Sequence, residues 1–135
     1  MPRIDDVELT IIPDRVQNRA AVAVSCAVEF SEFEVNAMNM LGLRYKLDCR
    51  ILEEDLYMLP KPEPVVTFYH QDFPRPMGGV ERHEQVKFET VVALSDLREH
   101  DFGKDKLVAE LNLQDEETGA WVVAQSQVVA IDLAA

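Results

Sequence analysis

Histidines and carboxylates supply the first chemistry to weigh. His70-Gln71-Asp72, Glu81-Arg82-His83-Glu84 and Glu99-His100-Asp101 each set an acid beside an imidazole. Two imidazoles and a carboxylate can hold iron or zinc, so His70, His83 and His100 define the candidate centre of a metal-dependent enzyme. Metal sites of that kind on β folds usually carry two histidines as H-x-H on one strand, and no such pair occurs. The competing reading is three solvated imidazoles among acids at strand ends.

A second acidic cluster lies in REHDFGKDKL, residues 98–107. Glu99, Asp101 and Asp105 are its carboxylates. Their arrangement resembles the third calcium loop of C2 domains, where acids in a D-x-D pattern precede a Gly-Lys pair, another acid and a strand. The likeness covers about ten residues, is two residues tighter than that pattern, and begins with Glu. It implies a calcium-dependent binding domain. Calcium takes about six to eight oxygens, and Arg98, Lys104 and Lys106 share the segment. Each base raises the cost of adding a dication. The residues themselves therefore favour a solvated turn in which Gly103 eases the backbone.

Nucleophilic chemistry has thinner support. No G-x-S-x-G is present, and Ser25, Ser31, Ser95 and Ser126 have no histidine close in sequence. Cys26 and Cys49 fall on apolar stripes, where a thiol is inert. Met77-Gly78-Gly79-Val80 lacks the Lys-Ser of a phosphate-binding loop. The expectation is a chain without enzyme activity and without a cofactor.

The elements that would position these residues are strands. Val7, Leu9 and Ile11 alternate and end at Pro13-Asp14; Val22, Val24, Cys26, Val28 and Phe30 form the next stripe. In Leu43, Tyr45, Leu47, Cys49 and Ile51, the opposite parity holds Arg44, Lys46, Asp48 and Arg50, the mark of a half-buried strand. Val86–Leu94 and Leu107–Leu113 follow, QDEETG turns at Gly119, and Trp121, Val123, Val129 and Ile131 share one parity. Ser31 and Glu34 have capping-box spacing, Phe30 and Val35 staple spacing, and Gly42 closes, which predicts a short helix near residues 32–41. Pro60, Pro62, Pro64, Pro74 and Pro76 exclude a central strand, leaving residues 65–70 as an edge strand.

About seven strands and one small helix in 135 residues predict a single domain over residues 1–135, an antiparallel β-sandwich, Ig-like or C2-like. A small closed barrel is the rival. Val24, Cys26, Val28, Leu47, Cys49, Phe88, Val92, Leu111 and Trp121 form the expected core. Tyr57, Phe68, Tyr69 and Phe73 cluster near the prolines, and with Phe102 they form either a partner patch or a seal over the sandwich end.

Thirteen Lys and Arg stand against 25 Asp and Glu, a formal net charge of −12. That charge repels phosphate backbones and anionic lipid surfaces, which argues against nucleic acid and membrane as partners. The N-terminal stretch lacks an apolar signal-peptide core, and no run is long enough to span a bilayer, so the expected compartment is cytoplasmic and the two cysteines reduced. The leading functional expectation is a non-catalytic binding or assembly module. Its partner is another protein or a second copy, reached through sheet edges or faces. The alternatives are a calcium- or small-molecule-binding β domain and, behind it, the metal-dependent enzyme. If residues 98–107 are a plain turn, calcium leaves the melting temperature unchanged. A rise of several degrees that Asp101→Asn abolishes would establish the C2-like reading instead.

Overall fold

The period-two stripes become strands. The computed structural model describes residues 1–54, 63–97 and 105–132. In chain order the elements are β1 (Arg3–Asp14), β2 (Arg19–Glu29), α1 (Glu32–Leu41), β3 (Tyr45–Glu53), β4 (Val66–Thr67), β5 (Gln71–Phe73), β6 (His83–Ala93), α2 (Leu94–Leu97), β7 (Asp105–Asp115), β8 (Trp121–Gln125) and β9 (Val129–Ile131). Every strand pair among them is antiparallel. One sheet has the order β1-β2-β6; the other runs β4-β3-β7-β8, with β5 also on β3 and β9 also on β7. The fold is an all-β sandwich-like domain. The nine strands among the described residues exceed the expected seven by two, because β5 forms beside β4 and the stripe from Trp121 to Ile131 is divided into β8 and β9.

The two inner faces meet in one apolar cluster. Val22, Val24, Cys26 and Val28 of β2 are buried in it with Leu47, Cys49 and Ile51 of β3 and Leu107, Ala109, Leu111 and Leu113 of β7. Lys46, Asp48 and Arg50 of β3 keep to its half-exposed face, where Arg50 faces Glu110 across the pair at 2.7 Å. In β1 a bulge between Asp5 and Glu8, with Asp6 at φ 54, adds one residue relative to β2. The inserted residue reverses parity, so Ile4 and Leu9 both face the core although their numbers differ by an odd step.

Helix α1 occupies the expected residues. Ser31 Oγ accepts from Glu34 N at 3.1 Å, and Glu34 Oε1 accepts from Ser31 N at 2.8 Å, the reciprocal capping box. Gly42 ends the helix at φ 77, a left-handed conformation that glycine adopts at little cost. Tyr45 O–H then donates to Glu34 Oε2 at 3.1 Å, tying the cap to β3.

Two core assignments change. Trp121 is 63% exposed. The turn at residues 116–120 sets a register in which Leu113 faces Val122 and Gln114 faces Trp121, so Val122 and Ala124 turn inward and Trp121 outward. Between β8 and β9, Ser126 Oγ accepts from Ala109 N and donates to Gln127 O. That break lets Val129 and Ile131 face the core without sharing a face with Trp121. Val92 is only half-buried. Of the edge strand expected at residues 65–70 only the two residues of β4 pair, and β5, beyond that range at Gln71–Phe73, continues on the same side of β3.

These placements give opposite expectations for two large apolar residues. Leu47→Ala removes a fully buried side chain and should cost about 2–5 kcal/mol in denaturant unfolding. Trp121→Ala should stay within about 1 kcal/mol. Because Trp121 is the single tryptophan, native emission should be that of a largely solvated indole. A blue-shifted native spectrum would contradict this register.

Candidate functional site

The aromatic cluster divides on folding. Phe73 is fully buried, with its ring 5.3 Å from Phe30 and edge-on to it, and Phe30 in turn lies 5.3 Å from Tyr45. Phe68 packs on Phe88 at 5.6 Å. These rings seal the sandwich, so Phe68 and Phe73 are not surface anchors. Tyr69, by contrast, is 85% exposed and stacks on His70 at 4.6 Å. Tyr57 and Phe102 lie outside the described residues.

The histidines take separate partners. His70 Nε2 is 3.3 Å from Asp72, and His83 Nδ1 is 3.9 Å from Glu29. His100 lies outside the described residues. Among the described residues no three His, Cys, Asp or Glu side chains converge as a metal site. Of the calcium-loop acids, Glu99 and Asp101 fall outside the described residues, and Asp105 is the buried first residue of β7, opposite Ile131.

His70 and Asp72 line an open cleft of about 700 Å³ together with Met38, Asn39, Arg44 and Arg75. Its two guanidinium groups already have internal work. Arg44 Nη1 donates to Leu43 O at 3.1 Å, next to the C-terminus of α1. Arg75 Nε donates to Glu84 at 3.1 Å, Arg75 Nη2 donates to Gln85 O at 2.9 Å, and its guanidinium carbon lies 5.9 Å from the Phe73 ring centre. Glu84 also accepts from Glu81 N at 2.8 Å. The arginines thus fasten the turn at Arg75–Gly79 and the helix end to the sandwich.

The cysteines face inward from opposite sheets and are free thiols. Burial pushes Cys26 up to about 11. Burial raises Cys49 as well, and the nearby Cys26 adds to it. Raised, shielded thiols are poor nucleophiles.

The sheet β1-β2-β6 presents two edges that differ in kind. Edge β1 is interrupted by the bulge, carries Pro13, and has both backbone groups of Leu9 held by Gln127, whose Nε2 donates to Leu9 O at 3.1 Å and whose Oε1 accepts from Leu9 N. Bulge, proline and a plugging side chain are the usual guards of an edge. Edge β6 has none of the first two: 11 residues pair with β2 without a register shift, from Glu29↔His83 to Arg19↔Ala93. Gln85 O accepts from Arg75, so its backbone groups point away from β2. Alternation then turns those of Lys87, Glu89 and Val91 outward too. Among the described residues β6 pairs with β2 alone. The side chains of Lys87 and Glu89 lie together on the outer face, 3.1 Å apart and both exposed. Beside them Ile12, at 62% exposed, and Val91, at 59%, flank Ala21 across the sheet. Lys87 and Glu89 were not among the candidates read from sequence. Their alternation was visible, but that β6 is an edge depends on the pairing of distant strands.

The class so defined is a two-sheet, all-β domain with a short capped helix; among the described residues no helix is long and apolar enough to cross a membrane. No family model matches the chain, and no curated protein is similar to it. Among solved structures, the X-ray structure of a Northeast Structural Genomics Consortium target, SoR45, is similar at 13% identity over 96% of this chain and 84% of that chain, with a TM-score of 0.40.

The thiol environment sets a pH dependence. With its folded value above its ordinary 9.0, Cys26 keeps a proton that the unfolded chain releases. Its contribution is therefore intact below pH 9.0 and declines as pH rises toward about 11. Urea midpoints should fall over that interval, and less steeply in Cys26→Ala. A thiol reagent should label neither cysteine in the native state near neutral pH and both in denaturant.

Proposed function

We propose that this chain is a non-catalytic binding or assembly module that receives an extended protein segment along the free edge of β6. What carries the reading is the contrast between the two edges of one sheet. Edge β1 is guarded by a bulge, Pro13 and Gln127, whereas β6 offers outward backbone groups at Lys87, Glu89 and Val91 in an unbroken 11-residue strand. An added strand gains backbone hydrogen bonds along such an edge, and its side chains meet the outer-face row of Lys87, Glu89 and Val91. A charge of −12 also disfavours nucleic acid as the partner. The His70 cleft supports a small-molecule role less well, because both its arginines already bond to protein groups.

Glu89→Pro tests the reading. The substitution removes an outward N–H, and proline is tolerated at an edge when the lost donor faces away from the sheet. Circular dichroism should keep the wild-type β signature. Native mass spectrometry and affinity capture should show a stoichiometric protein complex, with itself or with another chain, that Glu89→Pro abolishes. A complex retained undiminished in folded Glu89→Pro, or one abolished by Tyr69→Ala instead, would overturn the reading.

A further inference from the structure

The occupant of the β6 edge can be identified from the strand itself. We infer that β6 pairs with β6 of a second copy, antiparallel about a two-fold axis at Phe88, joining two three-stranded sheets into one of six. This inference rests on the reading of β6 as a receiving edge.

Parity restricts the registers. Outward-facing residues must oppose outward-facing residues, so Lys87, Glu89 and their alternates can meet only one another. A two-fold axis at Lys87 sets Lys87 against the partner's Lys87. An axis at Glu89 sets two carboxylates together in an already acidic protein. The axis at Phe88 does neither: Lys87 faces the partner's Glu89, and Glu89 faces the partner's Lys87. Phe88 is also the midpoint of His83–Ala93, so the register that matches charge is the one that overlaps the whole strand. Both charged residues are exposed and pair only locally in the single chain, at 3.1 Å. Opposite charges directly across a pair are favourable and like charges unfavourable.

The inner face agrees with this register. Phe88 meets the partner's Phe88 at a close, non-hydrogen-bonded position, and Val86 meets the partner's Thr90. The ladder has a built-in end. Arg75 holds the carbonyl of Gln85 at 2.9 Å, so the central hydrogen bonds are those between Lys87 and the partner's Glu89 and between Glu89 and the partner's Lys87. The guarded edge β1 leaves the far side of the joined sheet closed, which makes the assembly a dimer rather than a growing fibre.

Charge reversal gives the test. Sedimentation velocity over a concentration series should show a dimer for the wild type. K87E alone and E89K alone should each weaken it by at least about tenfold, since both cross-strand pairs become repulsive. An equimolar mixture of K87E and E89K should form the heterodimer, because every facing pair is again opposite in sign, and the double variant K87E/E89K should dimerise as the wild type does. The amides of Lys87 and Glu89 should exchange slowly in the dimer and quickly in K87E. A wild type that is monomeric throughout, or a dimer indifferent to K87E and E89K, or single variants that fail to rescue each other, overturns the inference. Capture of another protein that Glu89→Pro abolishes, from a chain that stays monomeric, would leave the edge reading standing while removing the second copy as its occupant.

Discussion

The inward stripe of β2 is the constraint on which the domain depends. Val22, Val24, Cys26 and Val28 are all buried within 2% of full enclosure, and among the described residues β2 is the only strand of its sheet with neighbours on both sides. Removing its pairing would detach β1 and β6 together. Its apolar face also requires a second sheet, since β3 and β7 bring Leu47, Cys49, Ile51 and Leu111 into the same cluster. Because every side chain alternates, a slip of one residue in β2 would turn this whole stripe to water. The full-length pairing with β6 holds that register at 11 positions.

The features legible in the sequence are those whose signal is local. The helix follows from Ser31, Glu34 and Gly42, which lie within a dozen residues and act through their own backbone. The stripe of β3 is equally local, because Lys46, Asp48 and Arg50 could not be buried. Trp121 failed for the opposite reason. Its parity relative to the core depends on a five-residue turn and on pairing with β7, and two alternating valines, Val122 and Val123, let either face look apolar. The break at Ser126 then uses a side-chain hydroxyl in place of a ladder bond, which periodicity does not record.

The site illustrates the same division. The sequence directs attention to residues with reactive side chains, namely His70, His83, Glu99, His100, Asp101 and Asp105, and to rings near prolines. Folding takes Phe68 and Phe73 into the seal and assigns His70 and His83 to different acids. Lys87 and Glu89 are ordinary outer-face residues until the pairing of β2 with β6 leaves them on an edge. What distinguishes them is position in a topology, set by contacts between residues about sixty apart in the chain, such as Val24↔Phe88.

The asymmetry between the two edges follows from how each is connected. Edge β1 passes near β8 and β9, whose connecting residue Gln127 can reach Leu9 and satisfy both of its backbone groups. The matching reach on the β6 side comes from Arg75, and it extends only to the carbonyl of Gln85 because the same guanidinium is anchored to Glu84. Beyond Gln85 no described side chain takes that place. A long edge that no described residue guards invites indiscriminate pairing unless something limits the partners. In the proposed pairing, alternating Lys87 and Glu89 provide that limit. A uniformly acidic edge, in keeping with the rest of the surface, would repel every copy of itself; a purely apolar one would accept many strands. In the proposed pairing, one base and one acid on either side of Phe88, both on the outer face, favour a strand that carries the same pattern in reverse, and an antiparallel copy of β6 does so by symmetry.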